Sequence, residues 1–360
     1  MVDASNPFSG IKASKVILPI IIGLGAVAFM FVREFDPRAF DSMVFTWRSV
    51  LFLFLACLLM LGRDLGYMIR IRVLANGQLS WIQSFRVIML WEFTSAVTPS
   101  AIGGTSVAIL FLNKEGISLG RSSAAVLATS FLDELYFVLM FPLLLLIVNV
   151  NKMFSIGDHT GFLNEFFWFA AIGYSVKLAY TIVVAYGLFF NPRGLKWLLL
   201  QFFRLSFLRR WRHNINDAGY EIIQSSRELV RKPFKFWLKA FGATFFSWTS
   251  RYWTVNMILL AFFVIPGFGQ HFLIFARQLV MWIMQLIAPT PGGSGFAEYI
   301  FTRYLGDLIP VSDVAIAGSV AIALALIWRL ISYYPYLIVG AFIVPKWISD
   351  KFTPSKKSKE

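Results

Sequence analysis

Eight ionisable side chains fall inside sequence otherwise apolar enough for a bilayer: Glu92, Asp133, Glu134, Glu298, Lys177, Arg251, Arg277 and Arg329. A charge at that depth is costly and persists where it faces a cavity or a partner of opposite sign. Half are acidic and half basic, so two chemistries compete. One is internal ion pairing that holds a helix bundle together. The other is a polar pathway for a charged headgroup. Helical spacing gathers some of these groups into stripes. Thr129, Ser130, Asp133 and Tyr136 share one face, as do Arg329, Ser332, Tyr333 and Tyr336. Arg277, Met281, Met284 and Gln285 lead down another face toward residue 290. Lys177 has only Tyr174 and Tyr180 beside it and reads as a paired or snorkelling lysine.

Two short breaks must position these groups. Thr98-Pro99-Ser100-Ala101-Ile102-Gly103-Gly104 interrupts one apolar stretch, and Thr290-Pro291-Gly292-Gly293-Ser294-Gly295 interrupts another. Each Thr-Pro starts a turn and each glycine pair frees the backbone, so each is expected to split a membrane helix. Broken backbone at membrane depth survives where protein or a water-filled cavity satisfies it. Two such breaks in the two halves of a chain point to a midplane substrate site in a repeat-built transporter. The half-helix after Gly295 should present free N–H groups and a positive dipole end, which favour an anion such as a lipid phosphate. Glu298 lies in its first turn. There it stabilises the helix start, titrates, or meets a cationic headgroup group; the sequence leaves all three open.

Other chemistries find little support. Gly-x-Ser-x-Gly, Walker and zinc-protease patterns do not occur. Asp133 and Glu134 are adjacent, and adjacent helical residues diverge by about 100° rather than converging on one atom. Three His and one Cys have no metal-ligand spacing. The expectation is a protein that is not an enzyme and carries no cofactor or metal.

Composition sets the class. The chain has 360 residues, 58% hydrophobic and 14% charged, whereas soluble domains carry about 25% charged residues. Mean hydropathy is +0.68. With several apolar runs of spanning length, this is an all-α polytopic membrane protein. The net charge of +14 is read as positive-inside topology rather than nucleic-acid binding. Cys57 is the single cysteine, so no intrachain disulfide forms.

The expected architecture is about six full spans plus two re-entrant helical hairpins entering from opposite sides. The spans are Val16–Val32, Thr46–Leu65 with a helix continuing toward Arg70, Ser123–Val148, Phe166–Phe190, Phe236–Ile265 and the kinked region Val314–Ile348. That last region contains Pro335 and is either one kinked helix or two elements. The hairpins are Trp81–Val97 with Thr105–Leu112, and Phe272–Ala288 with Phe296–Leu305. Residues 1–150 and 236–348 would form two inverted repeats around a basic amphipathic segment, 191–235. Val16–Val32 lacks a small-residue cleavage site and is read as a retained span, not a signal peptide. With a cytoplasmic N-terminus, 22 of the 33 Lys and Arg fall on cytoplasmic segments and 5 on the opposite face. That split orients both termini to the cytoplasm.

The breaks and their surroundings resemble the membrane domain of lysylphosphatidylglycerol synthases and related flippase-like proteins. Arg70-Ile71-Arg72 and Gly77-Gln78-Leu79-Ser80 precede the first hairpin; Thr98-Pro99 through Gly103-Gly104 and Asp133-Glu134 follow. The most specific piece is Pro289-Thr290-Pro291-Gly292-Gly293-Ser294-Gly295-Phe296-Ala297-Glu298, where close relatives read P-T-P-G-G-x-G-x-x-E. Arg329, Tyr333-Tyr334-Pro335 and Gly340 complete the likeness, which spans roughly residues 50–345. Relatives that make aminoacylated lipids carry a soluble transferase after the membrane part. This chain stops soon after Ile348, so the resemblance implies no aminoacyl transfer.

The functional expectation is an inner-membrane protein that moves an anionic or zwitterionic, even aminoacylated, phospholipid or lipid-linked headgroup between leaflets. Its partners would be membrane lipids, with a lipid-modifying enzyme as a further partner. The binding groups would be drawn from Glu92, Thr98, Pro99, Gly103, Gly104, Asp133, Glu134, Arg251, Arg277, Thr290, Pro291, Gly292, Gly293, Gly295, Glu298, Arg329 and Tyr333. The rivals are a carrier or channel for a small solute or ion, and a non-transporting membrane partner of a lipid-modifying enzyme.

Overall fold

Apolar runs of this length settle as helices in a membrane, because a helix satisfies its backbone internally. The computed structural model describes residues 38–98, 102–155, 163–191, 193–194, 219–286, 288, 290, 292–311 and 313–352. Among them every regular element is helical. The first half contains α1 (Trp47–Leu74), α2 (Trp81–Val97), α3 (Ile102–Lys114), α4 (Leu119–Ile147) and α5 (Leu163–Ala185). A π-helical turn, Tyr186–Phe190, closes α5. The second half contains α6 (Gly219–Val230), α7 (Phe234–Phe262), α8 (Gly267–Gln285), α9 (Phe296–Leu305), α10 (Val314–Ser332) and α11 (Tyr334–Phe352). Short helices Ala39–Ser42 and Val150–Phe154 precede α1 and α5.

Four described segments are long and apolar enough to cross a membrane: Trp47–Leu74, Leu119–Ile147, Phe167–Phe190 and Ile316–Lys351. The expected span Val16–Val32 and the Trp197–Arg212 stretch of the basic segment lie outside the described residues. Helix α7 has 29 residues, about 44 Å of rise, yet is not among the four. It carries Lys235, Lys239 and Arg251, and its buried face includes Thr244, Ser247, Ser250, Thr254 and Asn256. Facing protein rather than lipid, it needs less hydropathy.

What that face packs on is α1. Gly62 and Gly66 are one turn apart, and a Cβ at Gly66 would lie 2.2 Å from Ser247 Oγ and 2.9 Å from the Ala243 carbonyl oxygen. Small residues at this spacing let two backbones approach closely in lipid. The pair is antiparallel. Ser49 Oγ donates to the Ala261 carbonyl at 2.7 Å, and Ser247 Oγ donates to the Arg63 carbonyl at 2.9 Å.

Two apolar clusters flank this pair. One combines the C-terminal half of α1 with α2, α3, the start of α4 and α11. The other combines the end of α4 with α7, α8, α9 and α10. Each pair of short helices thus has its own core. The last apolar region is two helices separated at Tyr333. Pro335 lacks an N–H to donate back, which accounts for the break.

Candidate functional site

The second break is a built turn. Gly293 N–H donates to the Thr290 carbonyl at 3.0 Å. Gly292, Gly293 and Gly295 take φ of +57°, +68° and +84°, a region that side chains with a Cβ resist. Gly292 has a second constraint, since a Cβ there would lie 2.4 Å from the Tyr333 ring.

Two charges brace the turn from within. Glu298 is completely buried and accepts from Gly295 N–H at 2.8 Å, satisfying the start of α9. Its other oxygen accepts from Arg329 Nε at 2.8 Å. Arg329 also donates to the Gly292 carbonyl at 3.2 Å and Ser294 Oγ at 3.3 Å. Its guanidinium stacks 3.6 Å from the Tyr333 ring centroid. Each polar partner here restrains the others.

The brace extends to the first break. Tyr333 Oη lies 3.3 Å from Ser294 Oγ and donates to the Ala96 carbonyl at 3.0 Å. Ala96 is in the last turn of α2, where carbonyls lack intrahelical partners. Thr98 Oγ1 folds back onto the Thr94 carbonyl at 2.8 Å. Gly103 and Gly104, expected to free the backbone of the first break, instead lie in the first turn of α3 with helical geometry. Pro99 and Pro291 lie outside the described residues.

Where the two breaks meet there is a cavity of about 170 Å³. Ser95 and Thr98 line it from the first break; Thr290, Gly292 and Gly293 line it from the second. Trp282 and Gln285 contribute from α8 and Arg251 from α7. At about 30 Å³ per water, it holds some five waters or one compact polar group such as a phosphate. Two of its groups are unsatisfied. Thr290 Oγ1 is buried without a hydrogen-bond partner among the described residues. Arg251, half-buried, has no ion pair or hydrogen bond among them; its guanidinium lies 5.6 Å from the Trp248 ring centroid.

The remaining membrane-depth charges are engaged elsewhere. Asp133 pairs with Arg70 and accepts from Trp248 Nε1 at 2.6 Å. Glu134 pairs with Lys177 at 2.5 Å, whose ammonium sits 3.5 Å from the Trp282 ring centroid on the side chain that lines the cavity. Arg277 binds Asp307, the Tyr304 carbonyl and the Lys152 carbonyl. It therefore clamps the middle of α8 to the C-terminal end of α9. Gln285, two turns further along the same face, reaches the cavity. Glu92 pairs with Arg63 at 2.6 Å rather than entering the cavity.

Sequence reasoning missed part of this arrangement. Arg63 and Arg70 counted as cytoplasmic charges, yet both are buried side chains of α1, paired with Glu92 of α2 and Asp133 of α4. Removing them leaves 20 of the 22 on that face, so the charge asymmetry stands. The signal was present: Arg63, Tyr67 and Arg70 fall on one face of a helix whose Gly62 and Gly66 mark close packing. Asp64, Ser95 and Trp282 carried no such flag.

The fold and the site define a polytopic helical membrane protein with a polar, cation-bearing cavity enclosed between two helix breaks. Its sequence family agrees. Residues 16–340 match the family described as the lysylphosphatidylglycerol synthase TM region, and the chain belongs to that family. A "UPF0104 membrane protein" of Archaeoglobus fulgidus is 25% identical over 353 residues, covering 94% of this chain and 98% of that relative.

Proposed function

We propose that this protein moves an anionic or zwitterionic phospholipid, or a lipid-linked headgroup, between leaflets, with the phosphate passing Arg251 in the cavity between the breaks. The observation that carries the reading is the unpaired Arg251 guanidinium beside the unpartnered Thr290 hydroxyl. A guanidinium binds phosphate through paired donors. The five other buried or half-buried cations discussed above each have a carboxylate, so an anion arriving here meets one free charge. The family's name supports a lipid substrate, and the small cavity suits a headgroup whose acyl chains stay in lipid.

In this reading α2–α3 and α8–α9 are re-entrant hairpins. The repeated order of a long helix, a broken helix pair and a further helix, with α1 antiparallel to α7, supports an inverted repeat. The Lys and Arg asymmetry supports cytoplasmic termini in a cytoplasmic membrane. Cysteine labelling in a Cys57→Ala background tests the topology: positions 77 and 209 should be cytoplasmic and 158 external. Outside labelling at 209 would end that topology.

Reconstitution into liposomes with a panel of headgroup-labelled lipids tests the function. Labelled phosphatidylglycerol should become accessible to a reductant in the opposite leaflet, and Arg251→Gln should abolish this. Movement of a small ion without lipid would favour a solute carrier. Silence of every lipid with Arg251→Gln indistinguishable from the parent would favour a non-enzymatic membrane partner of a lipid-modifying enzyme.

A further inference from the structure

Apart from Glu115, which takes both Arg86 and Lys351, the described ion pairs within the membrane segments are one to one, and two places stand out. Asp133 has Arg70, Glu134 has Lys177, Glu298 has Arg329 and Asp307 has Arg277. Arg251 has no carboxylate, whereas Arg63 has two. Arg63 Nη2 lies 2.6 Å from Glu92 Oε2, and Nη1 lies 2.9 Å from Asp64 Oδ1. Its Nε is buried without a hydrogen-bond partner. The surplus acid and the surplus cation are neighbours in the fold. Glu92 is one helical turn before Ser95, which lines the cavity, and Tyr336 is three residues after Tyr333, which braces it.

Resting on the lipid-transport reading, we propose that Asp64 is a proton-binding site coupled to the cavity, so that an anion at Arg251 and a proton at Asp64 bind together. An anion held in the cavity adds negative charge beside Ser95, one helical turn from Glu92, and so disfavours two ionised carboxylates there. One of them then takes a proton, and protein plus ligand keeps the same net charge. Linkage makes the effect reciprocal: protonation strengthens anion binding by the same factor.

Geometry selects Asp64 over Glu92. Glu92 holds the closer contact to the guanidinium, while Asp64 shares Nη1 and leans on a neutral phenol. Tyr336 Oη is 3.0 Å from both Asp64 oxygens. It donates to the carboxylate and, by rotating, accepts from the acid. The Arg63 side chain is 1% exposed, but those of Asp64 and Glu92 are 14% and 22% exposed, so the carboxylates are the members of the cluster that a proton reaches from outside the protein. The charged and titratable groups facing the pair are Arg63 and Tyr67 from α1, Glu92 from α2 and Tyr336 from α11. Asp133 and Arg70 lie beyond Tyr67 and neutralise each other.

The test is anion affinity against pH in the full-length detergent-solubilised chain, between about pH 5 and 8. Short-chain phosphatidylglycerol and inorganic sulfate, neither of which titrates there, are the two ligands. Affinity should rise toward tenfold per unit fall in pH, the limit for one coupled proton. Asp64→Asn should flatten that dependence. Should Asp64→Asn fail to fold, Tyr336→Phe serves: losing its hydrogen bond to the carboxylate should move the coupled window to higher pH, and an unmoved window would overturn the proposal. A pH-independent affinity in the parent protein overturns the coupling and leaves lipid transport standing. A slope that persists in Asp64→Asn overturns the assignment to Asp64. Coupled sulfate binding without lipid binding sinks the lipid reading while the proton site survives. If neither anion binds at any pH, both fall.

Discussion

The two helix breaks look alike in sequence and are built differently. The Thr290 break spans ten residues between α8 and α9, with three glycines at positive φ and a buried ion pair cross-linking its turn. The Thr98 break lies between Val97 and Ile102, and its glycine pair is already helical. It borrows its restraint from the other half: Tyr333 supplies the bond to the Ala96 carbonyl. One break is a rigid, self-braced wall. The other is held against it. The difference teaches that a braced charge and an available charge can face the same turn, Arg329 inside the wall and Arg251 in front of it.

The largest effect should come from breaking the brace. Glu298→Gln leaves Arg329 buried without its carboxylate, and removing one partner of a buried pair costs about 3–5 kcal/mol. Melting temperature in detergent reads this, and the double variant Glu298→Gln/Arg329→Gln should recover part of the loss. Full stability in the single variant would mean that the wall is not held by this pair. Arg329→Lys keeps the charge but loses the fork that reaches Gly292, Ser294 and Glu298 together, so its loss should be smaller.

Next comes glycine chemistry, which separates the breaks directly. Gly292→Ala puts a methyl into the Tyr333 ring at positive φ, a steric and backbone strain of about 1–3 kcal/mol. Gly103→Ala keeps a helical conformation, and stability should shift by no more than about 1 kcal/mol. Equal losses at the two positions would erase the distinction drawn between the breaks.

Arg251→Gln should move stability least. No described carboxylate loses a partner, so the melting temperature should stay within the shift of a neutral surface change, about 0.5 kcal/mol. Lipid movement should nonetheless disappear. A large stability loss would reveal a hidden structural partner for Arg251 and remove the main support for an anion site.

Much was legible beforehand because local signals decide it. Helix α2 was bounded correctly at Trp81–Val97, since Ser80 and Gln83 cap one end and Thr98-Pro99 stops the other. The Thr290 turn was legible because only glycine fits its positive φ. Membrane residence followed from composition, and the family from one specific motif. Partners across the bundle were not legible. A carboxylate at residue 92 is equally compatible with a ligand or with any arginine, and only the packing of α1 against α2 brings Arg63 beside it. Packing against α4 consumes Arg70, and Asp307 just after α9 consumes Arg277, so a list of equivalent charges becomes a set of closed pairs with one cation left over. Sequence fixes which groups are charged and where the backbone must turn, because those properties belong to single residues. Which charge remains unpaired is a property of distances between helices, and it exists only once they have packed.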